Sequence, residues 1–192
     1  GFGTVQNPSL AFQGLAFATG FAYLAVIVFF VLSGWLVGGS LLNRLDTHQA
    51  IANYAIDRAT RLWIVLIPTF GAMLLFGLAT AVLDPTSLSL APDNAYSAAA
   101  FFGNLVGLQN ILVPEFGGNF PLWSLANETW YYVLFPLLAM LFRTRSALHG
   151  ALILMALAAI VHLLDSAILL YFSIWLLGAA FSRVRIECGA YL

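Results

Sequence analysis

The chain has 192 residues, 62% of them apolar and 15% aromatic, with 8% charged and a net charge of −1. Soluble domains carry about 25% charged residues, so the composition excludes a water-soluble globular domain and points to a multi-pass membrane protein. All seven basic residues are arginines, spread along the chain, which leaves no basic patch for nucleic acid.

Residues 1–16 are uncharged and rich in turn formers (Gly1, Gly3, Asn7, Pro8, Gly14), and they read as an interfacial loop. The first apolar span is predicted from Phe17 to Leu42, ahead of Arg44. At 1.5 Å per residue it is roughly 39 Å long, against a hydrocarbon core of about 30 Å. Gly34 and Gly38 form a Gly-x-x-x-Gly pair that lets another helix approach closely. Ser33 beside them reads as a packing hydroxyl rather than a catalytic one. Residues 43–61 are the most polar stretch and hold three arginines, which places them on the cytoplasmic side. Arg58 and Arg61 lie one turn apart at the mouth of the next span. Two guanidinium groups on one face suit a phosphate, although an ordinary positive-inside anchor has the same spacing. His48 reads as a solvated side chain of this loop.

The second span is predicted from Leu62 to Leu83, with Pro68 in its first turns, followed by an acidic loop over residues 84–95. The stretch from Tyr96 to Val113 is interrupted by Gly103, Asn104, Gly107, Gln109 and Asn110, which is polar for a lipid-facing span. If it crosses fully, Arg143 and Arg145 fall outside. If it dips in and returns, every arginine lies on the cytoplasmic side, and this second arrangement is preferred. Spans at Leu122–Phe142, Ala147–Leu164 and Ser166–Phe181 complete the chain, the last two joined by a tight turn at His162 and Asp165. His149 falls in the inner headgroup region. The lone Cys188 rules out an internal disulfide. The expected fold is all-α: a polytopic transmembrane helix bundle with about five full spans plus one broken or re-entrant segment.

The stretch Asn119–Pro136, NFPLWSLANETWYYVLFP, sets one carboxylate, Glu128, among aromatic and leucine side chains. No Lys or Arg lies between Arg61 and Arg143, so no basic partner is close in sequence. A carboxylate buried without a partner is expensive; such a group neutralises or takes a partner from another segment. On a helix, Ser124 and Glu128 share a face, with Tyr131 and Tyr132 a turn further on and Asn127 alongside. A carboxylate at membrane depth is a functional-site candidate by default; the plainer reading is an acceptor that packs two helices.

Three blocks in this order resemble membrane acyltransferase family 3, the O-acyltransferases that act on sugars and glycans. They are VFFVLSGWLVG (Val28 to Gly38), DRATRLWIVLIP (Asp57 to Pro68, with its Arg-x-x-Arg) and PLWSLANETWYYVLFPLL (Pro121 to Leu138, with its Trp-Ser-Leu-x-x-Glu). The resemblance implies a helical membrane bundle, in the cell (inner) membrane, that moves an acyl group from acyl-CoA, with acetyl-CoA foremost, to a hydroxyl of a carbohydrate or glycan. It implies that Arg58 and Arg61 hold CoA phosphates and that Glu128 and Ser124 belong to the catalytic centre. Trp123, Asn127 and Asn110 are the residues expected at the substrate, and no metal is expected. The family's catalytic histidine lies in an Arg-x10-His arrangement before the Val-Phe-Phe block, and no such pair stands here. The chain is therefore expected to be an internal piece of a longer acyltransferase, lacking the first span and the last several, with the base outside it. The competing expectation from the residues alone is a fragment of a transporter or permease, where a buried Glu and a broken polar helix also occur.

Overall fold

Helix-forming sequence and close glycine contacts organise the structure, a computed structural model that describes residues 21–45, 49–80 and 95–184. The expectations for residues 1–16, His48, residues 84–94 and Cys188 fall outside these. Among the described residues every regular element is helical. Helix α1 runs continuously through Ala22–Ser33, a π-wound turn Gly34–Gly38 and Gly39–Arg44. After it come α2 (Ala50–Ala79), α3 (Ala98–Leu105), a 3-10 turn (Phe116–Gly118), α4 (Leu122–Arg143), α5 (Ala147–Leu163) and α6 (Ser166–Phe181).

Helix α2 begins twelve residues before the predicted span, because the polar segment ahead of Leu62 is helical rather than looped. Its residues are mostly good helix formers, and Tyr54 joins Leu62, Leu66 and Phe70 in one buried stripe at multiples of four. Arg58 and Arg61 therefore stand on a rigid helix. Pro68 is tolerated within it on an exposed face. Two helical stretches, Leu24–Arg44 and Ala50–Ala79, are long and apolar enough to cross a membrane. Helix α4 has 22 residues but carries polar side chains, while α5 and α6, of 17 and 16 residues, are each about 25 Å long.

The tightest seam joins α1 to α6. A Cβ added to Gly34 would lie 1.9 Å from the Trp175 carbonyl oxygen, and one on Gly178 would lie 2.0 Å from the Val31 carbonyl oxygen. The glycine pair thus does what its spacing predicts, with Gly178 answering from the opposite helix. Gly34 meets Trp175, Gly38 meets Ala179 and Asn43 accepts from Arg183, so the two helices run parallel. Helix α4 runs the same way, since Tyr131 meets Phe172 and Ile168 while Phe135 meets Trp175. Arg44, Arg143 and Arg183 consequently gather at one end of the bundle.

The polar stretch after residue 95 folds back on itself. Helix α3 has eight residues, about 12 Å, far short of a membrane crossing. Asn104 clamps the return: its amide donates to the carbonyls of Ala100 and Pro114, and its Oδ1 accepts from the Phe116 N–H. Gly107 (φ 78°) and Asn110 (φ 62°) supply the left-handed backbone of the reversal. Trp63 of α2 and Trp130 of α4 pin this hairpin by donating to the carbonyls of Leu105 and Gly107. Helices α1 and α4 thus run parallel, and the folded-back hairpin is held by α2 and α4.

Candidate active site

Glu128 stands on the buried face of α4, 6% exposed. The Ser33 hydroxyl of α1 donates to its Oε1 at 2.6 Å, and the Tyr132 hydroxyl, one turn along α4, donates to the same oxygen. Ser33 in turn accepts from the Trp175 indole N–H of α6 at 3.1 Å. Helices α1 and α4 therefore meet on one carboxylate oxygen, and α6 reaches it only through Ser33. Ser33 occupies the residue just before the π-wound turn of α1, a type of distortion that recurs at functional sites. Trp175 is fully buried among Tyr131, Phe135 and Phe172, which fixes its N–H direction.

Tyr132 also faces the other way, into a cavity of about 280 Å³ between α2, the end of α3 and α4. Its walls include Tyr54, Arg58, Ala59, Trp63, Leu105 and Val133. The Arg58 guanidinium lies over both tyrosine rings, 6.0 Å from the Tyr54 centroid and 5.8 Å from that of Tyr132, in cation–π range. The Tyr54 hydroxyl and the Arg58 Nε are buried without hydrogen-bond partners. Glu128, Tyr132 and Arg58 thus form one chain of contacts from a buried acid to a cavity wall.

A family model described as an acyltransferase domain matches residues 1–191. The chain belongs to acyltransferase family 3. No curated protein and no solved structure matched it.

Within this acyltransferase domain the residues singled out from sequence separate into two groups. Glu128 and Arg58 come together through Tyr132. Arg61 is exposed and is not part of the cavity wall, so the two arginines do not share one face of the site. Ser124, expected beside Glu128, instead donates to the Pro121 carbonyl in the first turn of α4. The serine that reaches the acid is Ser33, 95 residues away. Reading Ser33 as a packing hydroxyl captured its bond from Trp175 and missed its bond to Glu128. Trp123 packs against Phe30 and Tyr171, Asn127 is buried beside the Tyr131 hydroxyl, and Asn110 sits on the exposed hairpin turn. His149 and His162 are exposed, and Asp165 caps α6 by accepting from the Ala167 N–H rather than pairing with His162.

Tyr54 and Trp175 are the site residues that sequence reasoning missed. Tyr54 had one readable signal, since it lies four residues before Arg58 and therefore on the same face of α2. Trp175 had none; it meets Ser33 across 142 residues.

Proposed function

We propose that this protein is a membrane-embedded O-acyltransferase that moves an acyl group from acyl-CoA to a hydroxyl of a carbohydrate or glycan acceptor. The observation that carries the reading is the contact chain Arg58–Tyr132–Glu128, which ties a cationic cavity wall to a buried acid in a chain of this family. In the transfer, the acceptor hydroxyl gives its proton to a base and its oxygen bonds to the thioester carbon. The carbon–sulfur bond breaks, and the proton passes to the departing thiolate. Such a step needs an oriented base and donors toward the carbonyl oxygen. Both hydrogen bonds to Glu128 converge on Oε1, so Oε2 serves to orient the base or the acceptor hydroxyl. On the donor side, Arg61 is exposed and meets the CoA phosphates. Arg58, held between two rings, meets the donor closer to its reacting end.

The surface supports a bilayer setting. Large apolar side chains point outward along α1, α2, α5 and α6, among them Leu36, Ile64, Leu75, Met155 and Leu170. Water would penalise such continuous apolar faces, and lipid would not. With the end that carries Arg44, Arg143 and Arg183 toward the cytoplasm, the helices form the multi-pass bundle and residues 96–113 return to the side they entered from. The test is radiolabelled acyl transfer by the full-length protein in membranes. Glu128→Gln is expected to lower turnover by about a hundredfold or more while CoA still binds. Unchanged turnover by that variant would remove Glu128 from the chemistry.

A further inference from the structure

We infer that the cavity between α2 and α4 is the seat of the donor's acyl chain, and that it takes an extended alkyl chain rather than an acetyl group. The inference rests on the acyl-transfer reading and adds to it the class of acyl group. Three observations carry it.

The first is size. The cavity, about 280 Å³ and open on the side where Trp63, Val106 and Val133 are partly exposed, is well beyond what an acetyl group fills. The second is wall chemistry. The wall is largely Ala55, Ala59, Leu62, Leu105, Val106 and Val133, and the polar hydrogens of Trp63, Thr129 and Tyr132 are committed to Leu105, Leu125 and Glu128. The N–H groups of the donor's amide-bearing arm would find no acceptor along these apolar side chains, at a cost that an alkyl chain does not incur. The third is the pair of unpartnered groups. Tyr54 is 8% exposed, its hydroxyl has no partner, and the buried Arg58 Nε has none either. Both groups donate, and a thioester carbonyl oxygen accepts. With the carbonyl at Tyr54 and Arg58, the carbon it belongs to lies beside Tyr132 and hence near Glu128, while the chain runs along the apolar wall toward Trp63.

The small side chains of Ala55 and Ala59, one turn apart on α2, leave the space for that chain. Enlarging either shortens the acyl group that fits. The probe is a series of acetyl-, butyryl-, hexanoyl- and octanoyl-CoA, titrated against the full-length protein in detergent. In the native protein each added methylene should tighten binding about fourfold until the cavity is full. Ala59→Leu should bring the hexanoyl-to-acetyl affinity ratio down to about one. Val133→Phe, which narrows the same space from α4, should do likewise and serves where Ala59→Leu fails to fold. Equal affinity for acetyl- and hexanoyl-CoA in the native protein would overturn the chain pocket and leave acyl transfer standing. An undiminished chain-length gain in both variants would do the same. Absence of binding by every member of the series would overturn both readings together.

Discussion

The two sides of α4 solve opposite problems. Toward α1 and α6, each polar group near Glu128 has a partner: Trp175 donates to Ser33, and Ser33 and Tyr132 donate to Glu128. Glycines on α1 and α6 bring backbones into contact there. Toward α2, the packing opens into a cavity, and two buried donors on its wall have nothing to donate to. Unsatisfied buried donors cost about 1–3 kcal/mol each, so a fold keeps them where something else completes them. The comparison separates a seam that holds an acid still from the seam proposed above to take the donor.

The sharpest way to break the first seam is Gly34→Ala. Its Cβ would meet a backbone carbonyl that cannot move aside, so destabilisation of about 3 kcal/mol or more is expected, read as loss of folded protein in detergent melting. Next in size is Asn104→Ala, which strips three bonds from the hairpin beside the cavity. It should lower stability by about 3 kcal/mol or somewhat less, with the melting loss largely recovered by a bound donor. A smaller effect is expected for Trp175→Phe, which keeps the ring packing but deletes the N–H to Ser33. Turnover should drop about tenfold with stability within about 1 kcal/mol of native, and donor affinity should hold. The smallest effect separates the arginines: Arg58→Ala should weaken donor binding more than Arg61→Ala, which should cost about threefold, both read as dissociation constants. Equal losses would mean that the arginines act as one phosphate clamp.

Much of the scaffold was legible because it depends on local rules. The helix-breaking cluster Gly103 to Asn110 announced a broken segment, and the structure folds it into an eight-residue helix and a hairpin. Gly34 and Gly38 announced a close helix contact. The choice of partner was not legible, because helical periodicity tells which residues share a face but not which face another helix will meet. Ser124 satisfied the i, i+4 rule with Glu128 and still lost to Ser33, since a first-turn serine finds the Pro121 carbonyl close at hand. The start of α2 was misplaced for a related reason: polar residues ahead of an apolar span suggest a loop, yet Tyr54 extends the buried stripe by two turns.

The claim that the cavity brings the donor to Glu128 is open to direct mapping. An acyl-CoA analogue with a photoreactive diazirine on its acyl chain would be bound to the full-length protein in membranes, irradiated, and the labelled peptides sequenced. The account predicts label on α2 between Tyr54 and Trp63 and on α4 between Thr129 and Val133, competed away by unlabelled donor. Competable label confined to other helices, with none on those two segments, would contradict it.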